Sequence, residues 1–248
     1  MVGMPPAYQP FKPNKLKTMN QPTRVSLVVT PHKGIRNFLS QLSLQAGATD
    51  YADRTEVTQL KRQFEEIAML LEEHATSENK YILPALEERA PGSSAHDEAD
   101  HEALEQLQGN LLAQLEQLLD PGIPDQQARR LGYEFYQGLT QLHAAHLEHM
   151  FEEETATQAL MWQHFTDEEM LQIHGQIIRS IPPEVMLAWM KYILPAQTPE
   201  ERRQLLAGMQ ANAPAPFFRQ VLGVAEKVLE YPAYAQLEAV FKTVEVSS

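Results

Sequence analysis

The chain has 248 residues, of which 43% are hydrophobic, so it can form one large domain or a domain with an extension. Its 20 basic and 33 acidic residues give a formal charge of −13, and no basic cluster appears, which argues against binding to nucleic acid or to an anionic membrane. Cysteine is absent, which excludes disulfides, thiolate ligands and a thiol nucleophile, so that any metal ion must be held by nitrogen and oxygen atoms.

Residues 1–23 are rich in proline and poor in aliphatic side chains, which predicts a disordered or extended N-terminal tail. This segment lacks the apolar stretch of a secretory signal. No run of residues approaches the roughly 18 apolar side chains that span a bilayer. We therefore expect a cytoplasmic protein without membrane contact.

The first helix is predicted after this tail. Pro31 suits a first helical turn, since its missing N–H would be unpaired there in any case. Ile35, Leu39 and Leu42 follow at helical spacing, and Gly47 marks the end. This spacing predicts an amphipathic helix with one buried face.

The second helix is predicted from about Thr55 to Arg89. Its apolar stripe is formed by Phe64, Ile67, Leu70, Leu71, Tyr81, Ile82 and Ala85. Pro84 is expected to kink this helix or end it early, because a proline ring removes a helical hydrogen bond and clashes with the preceding turn.

The third and fourth helices are predicted from about His96 to Leu119 and from about Gln126 to Phe165. Leucines spaced by three and four residues mark the third helix, and a segment rich in proline and glycine at 120–124 stops it. Four long amphipathic helices with modest connectors are typical of an up-and-down bundle. The sequence therefore predicts an all-α fold with a four-helix bundle over residues 24–165.

Residues 166–248 are predicted to form a C-terminal helical extension of shorter helices punctuated by prolines. Thr166 is expected to cap the first of them. The extension contains no recognisable chemistry. We expect it to serve as a packing face against the bundle, a second copy of the chain or another protein.

Two of the predicted helices carry a histidine and a glutamate four residues apart. They are His74 with Glu78 on the second helix and His149 with Glu153 on the fourth. Residues four apart lie only about 40° apart in projection down a helix. Each pair falls on or beside the apolar stripe of its helix, so an imidazole and a carboxylate point into the predicted core.

Single histidines lie on the inward arcs of the other two helices, His32 on the first and His101 on the third. All four helices therefore offer an imidazole to one interior. Burying an ionised carboxylate without a partner is strongly unfavourable. A pair of cations resolves this conflict, because the glutamates can bridge the two ions while imidazoles complete each coordination sphere.

The order of these residues resembles the pattern of the hemerythrin-like (HHE) cation-binding domain over roughly residues 25–165: His32, His74-x-x-x-Glu78, His101 and His149-x-x-x-Glu153. The resemblance implies a four-helix bundle with a non-haem di-iron centre that carries, senses or reacts with dioxygen. It further implies that His74 and His149 are terminal ligands, that the two glutamates bridge the metals, and that the remaining two histidines complete the set.

The chain departs from that pattern at one position. Oxygen-carrying hemerythrins have a further histidine four residues before the one that matches His101, and this chain has Asp97 there. His96 is one residue out of phase, about 100° round the helix. Either His146 from the fourth helix or an oxygen of Asp97 is expected to take that place. The altered set argues against reversible oxygen carriage more than against metal binding.

The leading hypothesis is a non-haem di-iron protein that binds or senses dioxygen or a related small ligand, such as nitric oxide or peroxide. Its cofactor would be two iron ions, with manganese or zinc as alternatives. One rival is a di-iron peroxidase, a catalase-like enzyme or a nitric-oxide-handling enzyme. The other is a helical interaction module whose metals are structural or absent. A binding or sensing protein is preferred to an enzyme, and no residue is assigned a catalytic role.

Overall fold

The computed structural model describes residues 24–241, and within that range the chain forms helices and no strands. The predicted N-terminal tail, residues 1–23, lies outside the described residues, as do residues 242–248 of the predicted extension. None of the described helices has the length and hydropathy that a bilayer crossing requires.

Four of the first six helices form a closed ring of neighbours. The six are α1 (Val29–Ala48), α2 (Arg54–Ser77), α3 (Leu83–Arg89), α4 (Ala95–Leu118), α5 (Asp125–Glu152) and α6 (Gln158–His164). Helix α1 contacts α2 and α5, and α4 contacts the same two helices. This ring, formed by long helices joined in sequence, confirms the predicted all-α bundle of the hemerythrin-like type.

Two π-helical segments interrupt the α-helical hydrogen bonding, Glu78–Ile82 between α2 and α3 and Glu153–Thr157 between α5 and α6. The first lies directly before Pro84, where the sequence predicted a kink or an early end, and the helical path continues through it into α3. The Leu83 N–H donates to the Glu78 carbonyl, five residues back, and Pro84 then lies in the first turn of α3. A proline is tolerated there because its missing N–H has no helical partner to lose.

The interior of the bundle has an apolar end and a polar end. The apolar end contains fully buried side chains from all four long helices: Leu42, Leu60, Phe64, Leu115 and Phe135. The polar end lies ten or more residues away on each helix, which is about 15 Å at 1.5 Å per residue. It contains His32, His74, Glu78, His101, His149 and Glu153.

A second apolar cluster, called here the end cluster, closes the bundle beyond the polar end. It is formed by Leu27, Val28, Ile82, Leu86, Met161, Phe165, Met170 and Ile173. Its members come from the segment before α1, from the first π-helical segment and α3, from α6 and the residue after it, and from the helix that begins at Asp167. The polar end is therefore enclosed between two hydrophobic clusters.

The C-terminal part forms five shorter helices among the described residues: α7 (Asp167–Ser180), α8 (Pro183–Ala196), α9 (Pro199–Asn212), α10 (Ala215–Val228) and α11 (Tyr231–Phe241). Thr166 caps α7 through a reciprocal capping box with Glu169, as the sequence predicted. Helix α8 packs on α1 and α2, and α10 packs on α8. The approach of α8 to α1 is close at Gly34, where a Cβ atom would lie 2.9 Å from the Ile193 side chain.

Candidate metal centre

Two groups of four buried side chains meet in the polar end. One group is His32, His74, Glu78 and Glu153, and the other is Glu78, His101, His149 and Glu153. Within each group, one potential ligand atom per residue lies within 4.8 Å of all the others. The two glutamates belong to both groups, so six side chains from all four long helices form one continuous cluster.

The two His-x-x-x-Glu pairs occupy equivalent places on their helices. His74 lies in the last turn of α2 and His149 in the last turn of α5. Glu78 and Glu153 are each the first residue of a π-helical segment. Short π-helical segments inside helices are often found at functional sites, because they redirect side chains locally. The sequence predicted the pairs but contained no signal for the π-helical segments.

The carboxylate of Glu78 lies between two pairs of histidines, His32 with His74 and His101 with His149. Its Oε1 atom is 3.4 Å from Nε2 of His74 and 3.9 Å from Nε2 of His32. Its Oε2 atom is 3.3 Å from Nε2 of His101. One carboxylate oxygen therefore faces each group.

Glu153 repeats this arrangement from the other side. Its Oε2 atom is 3.2 Å from Nε2 of His32, while its Oε1 atom is 3.4 Å from Nε2 of His149 and 3.8 Å from Nε2 of His101. Both glutamates thus present one oxygen to the His32–His74 pair and the other to the His101–His149 pair. This is the disposition that a carboxylate needs in order to bridge two cations.

Seven of the eight converging atoms lack hydrogen-bond partners among the described residues. This holds for Nε2 of all four histidines, for both carboxylate oxygens of Glu78 and for Oε2 of Glu153. Buried polar atoms are rarely left unpaired, because each costs free energy. With metal–ligand bonds of about 2.0–2.2 Å, neighbouring ligand atoms on one ion lie about 3–3.5 Å apart. Since the observed separations are close to that value, the donor set fits two cations.

The electrostatics of the cluster also favour positive charge. Burial lowers the pKa of His32, but the carboxylates of Glu153, Glu154 and Glu78 outweigh it and raise that pKa to about 10. Burial and the nearby Glu78 charge raise the pKa of Glu153 well above its usual range. Burial lowers the pKa of His74 to about 3. The raised pKa values of His32 and Glu153 mean that bound protons offset part of the buried carboxylate charge, a role that metal cations could take over.

Polar side chains orient two of the imidazoles from outside. Nδ1 of His32 lies 3.0 Å from Oε1 of Glu154, which also accepts a 2.6 Å hydrogen bond from Arg36. Nδ1 of His101 lies 2.8 Å from Oδ1 of Asn79. Such contacts fix the ring orientation and the tautomer of a ligand histidine. Nothing in the sequence pattern identified Arg36 or Asn79 for this role.

The two candidates for the missing imidazole lie in neither group. His146 is buried, and its Nε2 atom has no hydrogen-bond partner among the described residues. Asp97 is also buried; its Oδ2 accepts a 2.8 Å hydrogen bond from the Thr157 hydroxyl, and burial raises its pKa. A role for His146 as a seventh ligand stays a prediction.

Helix α8 covers the His74 side of the cluster. The ring of Trp189 lies 6.3 Å from that of His74, centroid to centroid, and its Nε1 donates a 2.7 Å hydrogen bond to Oε2 of Glu73. Trp189 is itself buried. The sequence did not identify this residue, because nothing in the spacing of Trp189 indicates which bundle helix α8 packs against.

Comparison with known proteins agrees with this geometry. The family model for the hemerythrin HHE cation-binding domain matches residues 23–161, more than half of the chain. A BRUTUS-like zinc finger protein of Arabidopsis thaliana is 25% identical over 186 residues, which are 73% of this chain and 14% of that protein. The chain therefore spans only a small part of that relative. No solved structure gave a significant match.

Proposed function

This chain belongs to the hemerythrin HHE cation-binding family, and we propose that it is a non-haem di-iron protein that binds or senses dioxygen or a related small ligand, such as nitric oxide or peroxide. One observation carries the proposal: Glu78 and Glu153 each direct one oxygen to each of two buried histidine pairs. The proposed ligands are His32, His74, His101, His149, Glu78 and Glu153, with His146 as a seventh candidate.

The donor chemistry supports iron. Each group offers two imidazole nitrogens and two carboxylate oxygens, a mixture typical of non-haem iron and manganese. Structural zinc is usually held by four ligands that often include cysteine, which this chain lacks. Bound here, two iron ions would supply the electrons for reaction with a small oxidant. Manganese or zinc in the same ligands is an outcome that elemental analysis would reveal.

The surroundings support a small, weakly polar ligand. The apolar end lies on one side of the polar end and the end cluster on the other, so bulk water is excluded from both directions. Four protein atoms for each ion leave coordination positions for one small molecule. Arg36 and Glu154 hold the His32 imidazole, and Asn79 holds that of His101, so the ligands are oriented before a small molecule binds.

We also propose that the chain divides into a bundle, residues 24–165, and an extension, residues 166–248, that transmits the state of the centre. The contact of Trp189 with His74 supports this, because it links α8 to a proposed ligand. A second copy of the chain or another protein would bind the extension. Residues 1–23 would form the tail of this arrangement, and the whole would act in the cytoplasm.

The test is an optical titration of the anaerobically iron-loaded protein. A new absorption band on exposure to dioxygen, reversed by removing the gas, supports a carrier or sensor. Turnover of hydrogen peroxide that is lost in Glu78→Ala would favour the enzyme alternative. Glu148→Gln, an exposed change on α5, is the matched control. Identical spectra for the wild type and Glu78→Ala would overturn the proposal.

A further inference from the structure

A second group of potential metal ligands lies on the surface between α4 and α5. It contains His96 and Asp100, one turn apart on α4, and Glu152 at the end of α5. Their side chains are 66%, 33% and 40% exposed, respectively. Nε2 of His96 is hydrogen-bonded to Oε2 of Glu152 and lies 3.8 Å from Oδ2 of Asp100. All three offer a ligand atom within 4.8 Å of the other two.

An unpartnered buried atom points into this surface group. Nδ1 of His149 lies 3.4 Å from Oδ2 of Asp100 without forming a hydrogen bond. His149 is only 4% exposed, and its Nδ1 atom has no hydrogen-bond partner among the described residues. An ordinary ion pair between α4 and α5 would explain His96 and Glu152, but it does not involve Asp100, which lies beside both the surface imidazole of His96 and the buried Nδ1 atom of His149.

We propose that His96, Asp100 and Glu152 form a surface site for a divalent transition-metal ion, from which ions pass to the buried centre by way of Asp100. The role in loading rests on the di-iron proposal above; the surface site does not. One imidazole nitrogen and two carboxylate oxygens are suitable ligands for Fe²⁺, Mn²⁺ or Zn²⁺. With three ligands, one exposed and two half-buried, the surface site binds more weakly than the enclosed groups of four.

The position of Asp100 supports the transfer. Its Oδ2 atom lies between Nε2 of His96 on the surface and Nδ1 of His149 in the interior, at 3.8 Å and 3.4 Å. Two apolar clusters flank the buried centre along the bundle axis, where a hydrated cation would be poorly solvated. A route past the Asp100 carboxylate at the side of the bundle would avoid them. The formal charge of −13 raises the local concentration of cations at such a surface.

The experiment compares the wild type with the double variant His96→Ala/Glu152→Gln, which leaves all six buried ligands in place. Anaerobic equilibrium dialysis against Fe²⁺ counts the ions, and stopped-flow mixing gives the rate at which the buried pair fills. We expect three ions on the wild type, two tight and one weak. The double variant should hold the two tight ions alone and fill about tenfold more slowly.

The control is His164→Ala/Glu148→Gln, which removes one imidazole and one carboxylate elsewhere on α5 and α6 and should match the wild type. Glu78→Ala should lose the tight ions and keep the weak one. A weak ion retained by His96→Ala/Glu152→Gln would overturn the surface site, and an unchanged filling rate would overturn its role in loading. A wild type that binds one weak ion and no tight pair would instead overturn the di-iron proposal.

Discussion

The apolar end and the polar end of the bundle are formed by the same four helices, but one buries apolar side chains and the other buries charged ones. At the apolar end, Phe64 and Phe135 pack with their ring centroids 6.0 Å apart, and the nearby Tyr51 hydroxyl donates a hydrogen bond to the Ala46 carbonyl. At the polar end, Glu78 and Glu153 are 3% and 2% exposed and face four imidazoles. One end needs no ligand, while the other places charged groups where water cannot reach them.

This difference shows where the stability of the fold originates. Apolar burial stabilises the helices at about 25 cal/mol per Å², which the apolar end supplies without a cofactor. Buried carboxylates and imidazoles oppose folding unless a cation or a proton offsets their charge. The apolar end therefore maintains the scaffold, and the polar end depends on what it binds. Four changes test this division, beginning with the largest expected effect.

Metal loading should change the stability of the wild type more than any single substitution. A ligand that binds only the folded state at a thousandfold excess over its Kd stabilises by about 4 kcal/mol for each site. Urea unfolding with Fe²⁺ and with a chelator, both without oxygen, measures the difference. Glu78→Ala removes an atom facing each ion and should abolish the response. An equal response in both proteins would contradict the division.

Phe135→Ala should destabilise the protein by about 3–5 kcal/mol, because it opens a cavity among fully buried side chains. The loss should be the same with and without bound metal, since the substitution lies at the apolar end. The number of tightly bound ions should not change. Urea unfolding and metal analysis of the same preparation check both statements. A loss of metal together with stability would show that the two ends are coupled.

Trp189→Phe should cost about 1–2 kcal/mol, because it removes the indole N–H that donates to Glu73 and keeps most of the ring. It should also speed the removal of metal by a chelator, since α8 covers the His74 side. Trp162→Phe is the control; it removes the 2.8 Å hydrogen bond to the Val25 carbonyl at an exposed position. Equal rates of metal removal from the two variants would show that α8 does not limit access to the metal centre.

The smallest effect is expected from the ion pair between Lys33 on α1 and Glu201 on α9. Lys33 Nζ lies 2.6 Å from Oε1 of Glu201, and Thr198, which caps the start of α9, donates to the same carboxylate. These contacts lower the pKa of the Glu201 carboxyl from 4.5 to about 2. A lowered pKa gives stability that is present above 4.5 and lost as the pH falls toward 2. Glu201→Gln keeps the cap, and its stability should fall less steeply across that window in urea unfolding. If the stability of the wild type and of Glu201→Gln fell equally as the pH was lowered, the ion pair would make no contribution to stability.

The sequence predicted the polar end well because its chemistry depends on local spacing. A histidine and a glutamate four residues apart must share a helix face, and prolines and glycines mark the connectors. Residues His74, Glu78, His149 and Glu153 could therefore be placed together before any coordinates. His32 and His101 followed from the positions of their helices in the predicted bundle.

The remainder depends on tertiary contacts that spacing does not encode. The π-helical segments at Glu78 and Glu153 have no compositional signature, so they were not predicted. Asn79 contacts the His101 imidazole from another helix, and Arg36 acts on His32 only through the Glu154 carboxylate. Helix α8 packs closely on α1 where Gly34 has no side chain. The sequence contains this glycine but does not indicate which helix packs against it.

The most direct test of the paired cation centre is the number of iron ions that remain after anaerobic loading and gel filtration. If Glu78 and Glu153 each serve both ions, the wild type retains two tightly bound ions per chain. Glu78→Ala then loses both, while Glu148→Gln keeps both. Fewer than one ion per chain in the wild type, or loss of a single ion in Glu78→Ala, would contradict the bridged pair.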